Sequence, residues 1–124
     1  NKNYLWTIEH IFPKGDKIPD SWVQMIANGD ERKAKELQED YVHTLGNLTI
    51  SCYNSALGTK SFREKRDRVD SQGRPIGYNN RLSLNADLAN ATSWSIEQIQ
   101  ARTKKLASQV MDMFALNRGE DEST

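Results

Sequence analysis

The sequence predicts an α+β domain that is mostly helical, and three observations carry that reading. Two short runs rich in β-branched and apolar residues, TIEHIF at 7–12 and NLTISC at 47–52, are the strand candidates. Stretches of good helix propensity and charged faces lie between and after them. The chain closes on one long helix with a largely apolar stripe.

Taken in order, Thr7, Ile8, Ile11 and Phe12 form the first strand, and Pro13 stops it. Successive strand residues face opposite ways, so Glu9 and His10 diverge unless a bulge or turn at the strand end re-aims them. After the loop Lys14–Pro19, Asp20 or Ser21 caps a short helix carrying Trp22, Val23, Met25 and Ile26. Asn28-Gly29-Asp30 supplies a C-cap and the next N-cap. ERKAKELQEDYV at 31–42 continues as helix, HTLGN is a turn, and Asn47–Cys52 is the second strand. NSALGTKSFREKRDRV then reads as helical with a break near Gly58, DSQGRPIGYNN as a loop, and RLSLNADLAN as short strand or turn.

In the closing helix, Ser95 and Gln98 have capping-box spacing, and Trp94 and Ile99 are placed for a hydrophobic staple. Ile96, Ile99, Thr103, Leu106, Val110 and Met113 repeat at steps of 3 and 4, which makes one stripe for core packing. Phe114 and Leu116 extend it, Trp6, Trp22 and Trp94 are read as core residues, and the acidic tail 119–124 is expected to be disordered.

A chain of 124 residues suits one domain. Lys+Arg and Asp+Glu both number 17, so any contact with nucleic acid must come from a local basic face. Mean hydropathy is −0.79, with no stretch apolar enough to span a membrane and no signal-like N-terminus. The lone Cys52 excludes an internal disulfide and a four-cysteine zinc site, and it fits a reducing cytoplasm. The first residue is Asn, which predicts a piece of a longer protein.

There are two histidines, His10 at the end of the first strand and His43 just before the second. Asn47 and Asn54 flank the second strand. If the strands pair as a ribbon, Glu9, His10, His43, Asn47 and Asn54 gather around one pocket. A carboxylate and an amide oxygen suit a hard divalent cation of the Mg²⁺ type, completed by water and phosphate oxygens. A neutral imidazole beside it could take a proton from water near pH 7. The chemistry implied is phosphodiester hydrolysis. Lys60, Arg63, Lys65, Arg66 and Arg68, diluted by Glu64 and Asp67, form a basic cluster able to follow DNA phosphates, with Phe62 as a core anchor.

Four motifs, in order, carry a family resemblance: TIEHIFP at 7–13, HTLGNLTIS at 43–51, YNSALGTKSF at 53–62 followed by Lys65, and WSIEQI with Arg102 at 94–102. Together they resemble the HNH, or ββα-metal, nucleases, and more closely the C-terminal nuclease domain of the GmrSD and SspE group of modification-dependent restriction proteins. The resemblance implies a ββα-metal core with a two-stranded antiparallel ribbon in residues 1–118. It implies that His10 is the general base, that Glu9 and Asn54 are metal ligands, and that Asn47 ties the loop and helps to orient the base. His43 then contacts phosphate or supports the base. The cation expected is Mg²⁺, with Mn²⁺ or Ni²⁺ able to substitute, and structural zinc is not expected because the zinc-binding cysteine pairs are absent. The expected function is a DNA endonuclease or nickase acting in phage restriction, working with an N-terminal nucleotide-hydrolysing, modification-sensing part of its parent. The alternatives are a catalytically silent DNA-binding module and a purely structural domain.

Overall fold

The computed structural model describes residues 7–51, 57–79 and 83–122. Two strands, β1 (Thr7–His10) and β2 (Leu48–Ser51), pair antiparallel with Thr7 opposite Ser51, Ile8 opposite Ile50, Glu9 opposite Thr49 and His10 opposite Leu48. Around them lie α1 (Asp20–Ala27), α2 (Glu31–Tyr41), α3 (Phe62–Asp67), α4 (Ala86–Asn90) and α5 (Ile96–Glu122), with 3-10 turns at Leu45–Asn47 and Ser83–Asn85. The α+β, mostly helical architecture is the one the sequence predicts.

The ribbon has an unusual polarity. Glu9 and Thr49 face inward and are buried, whereas Ile8 and Ile50 face outward and are 62% and 40% exposed. Period-two alternation puts Glu9 inside together with Thr49, so the buried carboxylate must find partners there. Beneath the ribbon, Ile11, Phe12, Trp22, Leu57, Phe62, Tyr78, Leu88, Trp94 and Ile99 form the core. Trp22 lies against Phe12, and Trp94 stacks on Phe62 with ring centroids 5.5 Å apart. Trp22 and Trp94 are thus core residues, as the sequence indicates; Trp6 lies outside the described residues.

β1 ends two residues earlier than the run TIEHIF suggests. The Ile11 N–H still follows the register, donating to the Asn47 carbonyl at 2.9 Å, but the Phe12 N–H leaves the ladder for Asn47 Oδ1 at 2.8 Å, and both side chains enter the core. α1 starts from Pro19 with no side-chain cap, in place of the Asp20 or Ser21 cap expected. Asn28 closes it in the left-handed region at φ 53°, and Asp30 caps α2 through the Lys33 N–H, as Asn28-Gly29-Asp30 signals.

Of the helix read over 54–69 with a break near Gly58, the described part shows a turn at Gly58–Thr59 and then the short α3, begun by a Ser61–Glu64 capping box. It stops at Asp67 because Arg68 turns extended, and the chain returns so that the N–H groups of Ile76, Gly77, Tyr78 and Asn79 take the carbonyls of Arg68, Lys65 and Arg66. RLSLNADLAN is neither strand nor simple turn in its described part; it forms the 3-10 turn and α4, with Leu88 fully buried.

In α5, Gln98 reaches back to the Ser95 N–H at 2.7 Å, and Trp94 and Ile99 are both buried. The stripe packs only in its first half. Ile99 is buried, Thr103 and Leu106 are half-buried, and Val110 and Met113 are 47% and 63% exposed. The core is too small to reach the second half of a 27-residue helix. The described helix enters residues 119–122, which the sequence sets apart as a tail.

Candidate active site

β1 delivers His10 to an open surface pocket of about 390 Å³ whose lining includes Glu9, His10, Pro13, Lys14, Gly58 and Thr59. The pocket wall is firm where its backbone is tied down. Gln38, buried on α2, donates through Nε2 to the carbonyls of Pro13 at 2.8 Å and Gly15 at 2.9 Å.

His43 follows α2 and is exposed. Its Nδ1 lies 3.0 Å from His10 Nε2, and the two rings meet edge to face. His10 is half-buried. Burial holds its imidazole below the ordinary value of 6.5, and Lys14, His43 and Lys65 lower it further. It is therefore neutral at pH 7, the form a general base requires.

Asn47 is completely buried and fully used. Its Oδ1 accepts from the Phe12 N–H at 2.8 Å and from Trp94 Nε1 at 3.3 Å. Its Nδ2 donates to the carbonyls of Phe12 and Val42, both at 2.9 Å. One amide thus joins the exit of β1, the end of α2 and the start of α5. The 3-10 turn that presents it lies tight on α5. The Gly46 N–H donates to Thr103 Oγ1 at 2.8 Å, and a Cβ on Gly46 would stand 1.9 Å from the Ile99 carbonyl oxygen. Only glycine permits that approach.

Glu9 is 3% exposed and both its oxygens are engaged. Lys65 Nζ reaches Oε1 at 3.1 Å, and the Tyr78 hydroxyl donates to Oε2. Burial pushes the Glu9 carboxyl up, against the opposing pull of the Lys65 charge and the Tyr78 hydroxyl. Burial also lowers Lys65, against the Glu9 charge, and raises Tyr78 well above its ordinary value.

The basic cluster divides. Lys65 is completely buried and does not reach a surface where it could meet phosphate, because it stands on the core face of α3 with Phe62. Arg66 is half-buried; it donates to Asp67 through Nε and Nη2 at 2.8 Å and to the Ala91 carbonyl at 2.7 Å. Arg63 is exposed and Lys60 half-buried. Asn54, the second expected metal ligand, lies outside the described residues. Among the described residues no three His, Cys, Asp or Glu side chains gather as a metal site.

One buried residue, Tyr78, escapes the sequence reading, and a second, Arg102, enters it only as the last residue of the fourth motif, with no role given. Tyr78 sits in an aperiodic loop, where nothing marks it. Arg102 is 3% exposed and donates to the carbonyls of Gly46 at 3.0 Å, Leu48 at 2.7 Å and Leu84 at 3.1 Å, with Asp87 at 3.2 Å as its counter-ion. Its signal was present: a cation between Ile99 and Leu106 at the spacing of the apolar stripe.

A family model described as GmrSD restriction endonucleases, C-terminal domain, matches residues 1–109. No curated protein and no solved structure matches the chain. No helix among the described residues is long and apolar enough to cross a membrane.

Proposed function

Since the chain belongs to the family of GmrSD restriction endonuclease C-terminal domains, we propose that it is an HNH-type DNA nuclease, cutting or nicking phosphodiester bonds with His10 as general base. The observation that carries this reading is the pair of facing nitrogens, His10 Nε2 and His43 Nδ1, 3.0 Å apart beside an open pocket. One hydrogen lies between them. When His10 donates it, His43 fixes the ring, and His10 Nδ1 is left with a lone pair for an attacking water. His43 is then the group that holds the base in its working tautomer. Asn47 holds the backbone from which His10 projects. Lys14 at the pocket and Arg63 on α3 are the cations we assign to DNA phosphates.

Family membership carries a general expectation of a divalent cation, which would supply charge to the phosphate and the leaving oxygen. We take Mg²⁺ as the first cation to test, then Mn²⁺ and Ni²⁺. Glu9 does not fit as its ligand in this arrangement, because both oxygens already accept hydrogens and an ammonium stands 3.1 Å from one of them. Asn54 keeps the ligand role that the resemblance implies. We further propose a place in phage restriction in the cytoplasm, beside an N-terminal modification-sensing part of a longer chain.

The engaged state of Glu9 also favours a second reading, a DNA-binding module without turnover. Relaxation of supercoiled plasmid separates the two. With metal, wild type should yield open circles, His10→Ala should yield none, and EDTA should stop the reaction. A folded wild type that shifts DNA on a gel but cuts it with no cation is the silent module. Open circles without linear product mark a nickase.

A further inference from the structure

We propose that Glu9, Lys65 and Tyr78 form an internal clamp that positions His10, and that this carboxylate is a positioning residue instead of a cation ligand. The proposal rests on His10 being the base, as proposed above.

An ammonium has three N–H donors. Lys65 Nζ has three acceptors: Glu9 Oε1 at 3.1 Å, the His10 carbonyl at 2.9 Å and the Ile11 carbonyl at 2.9 Å. It is saturated and completely buried. Two of its bonds go to the peptide groups that follow His10, so they fix the backbone from which the imidazole projects.

A buried ammonium needs a counter-ion, and Glu9 is the acid that supplies it. The second oxygen of Glu9 takes the Tyr78 hydroxyl. A dication on Glu9 would displace one of these donors and sit against the ammonium, which opposes it electrostatically.

The clamp is closed a second time through the backbone. The Tyr78 N–H donates to the Lys65 carbonyl at 2.9 Å. Gly77 makes that approach possible, since a Cβ there would lie 2.0 Å from the same oxygen. The end of β1, the core face of α3 and the returning segment 76–79 are therefore one unit, with His10 on its outer side.

Three variants test it: Tyr78→Phe, Glu9→Gln, and the double variant Glu9→Gln/Lys65→Met, which removes both charges together so that neither is left buried alone. The readouts are the His10 ring resonances by NMR in metal-free protein, the cleavage kcat and KM, and the Mn²⁺ concentration giving half-maximal rate. The chain has two histidines, so His10→Ala assigns the ring signals. Tyr78→Phe should move the His10 signals and lower kcat by about tenfold to a hundredfold, because small misplacements of a catalytic group are that costly. The Mn²⁺ requirement and KM should stay within about twofold, since neither binding step uses the clamp. Glu9→Gln should follow the same pattern. A Glu9→Gln protein whose ring signals stay put while its Mn²⁺ requirement rises tenfold or more would overturn the clamp in favour of metal ligation. So would a folded Tyr78→Phe with unchanged ring signals and kcat. If folded wild type cuts no DNA with any cation, the nuclease reading falls, and the ring signals alone then decide the clamp.

Discussion

His10 and His43, 33 positions apart in sequence, place Nε2 and Nδ1 3.0 Å from each other, and the geometry admits one hydrogen between them. A second proton would set two N–H groups face to face. Burial lowers His10, and Lys14, Lys65 and His43 act in the same direction. With His10 as the proposed base, the neutral ring is the active form, and burial keeps it below its ordinary value. The rate should therefore hold from neutral pH into mildly acidic pH and fall only as pH drops through the lowered value. His43→Ala removes one of the lowering influences, so its acid limb should move toward higher pH, with a reduced plateau because the ring loses its orienting partner. Single-turnover cleavage between pH 4.5 and 8 reads both effects. An acid limb that does not move in His43→Ala would mean that His10 titrates independently of its neighbour.

Asn47→Ala should be among the most damaging truncations in the chain. It leaves the Phe12 N–H, the carbonyls of Phe12 and Val42, and Trp94 Nε1 without the amide that serves them. Each orphaned buried group costs about 1–3 kcal/mol, and partial repair by water brings the expected loss to about 3–5 kcal/mol. Urea unfolding measures it. Cleavage should fall with stability, and cooling should recover folded protein but only part of the rate, because the exit of β1 is no longer fixed.

Asn47, Glu9 and Lys65 also show what a sequence can disclose. Asn47 was legible as a turn residue because its short amide follows Gly46, where local hydrogen bonding is the default, and as a tie through the family resemblance. The strands, α2 and the start of α5 were legible because period, caps and propensity agree there. Glu9 and Lys65 were legible as chemistry but misplaced. A carboxylate beside a histidine and a lysine in a basic run look like surface groups, and the contact that buries them spans 56 residues and depends on Tyr78, a residue with no local pattern. Burial of an ion pair is decided by tertiary partners, which sequence spacing does not encode. The second half of α5 illustrates the converse: its apolar spacing continues to Val110 and Met113, which are exposed.

Gly46→Ala tests the tightest approach in the fold. The new methyl would stand 1.9 Å from the Ile99 carbonyl oxygen, 2.5 Å from Thr103 Oγ1 and 2.6 Å from the Thr103 nitrogen. Two of these are helix backbone, which cannot swing aside, so α5 and the turn must part. That breaks the Gly46 to Thr103 bond and strains the Arg102 bonds to Gly46 and Leu48. Overpacking of this kind costs about 3 kcal/mol. Thermal unfolding should show the loss, and a variant as stable as wild type would mean that the turn and helix have slack that this geometry does not contain.

The split of the basic cluster gives a prediction about salt. Each phosphate neutralised by a protein cation contributes about 0.9 to the slope of log affinity against log salt. Arg63 is exposed, so Arg63→Ala should lower the slope by about 0.9. Lys14→Ala should act alike if the pocket holds the strand. Arg66 already spends its guanidinium on Asp67 and the Ala91 carbonyl, so Arg66→Ala should change the slope by less than half as much. Lys65→Met paired with Glu9→Gln should leave the slope unchanged, because neither charge reaches solvent. Fluorescence anisotropy of a labelled duplex in EDTA, titrated over a range of NaCl, supplies the slopes without cleavage. A double variant with a reduced slope would show that Lys65 leaves its buried position when DNA binds, and the division of the cluster into inner and outer cations would then fail.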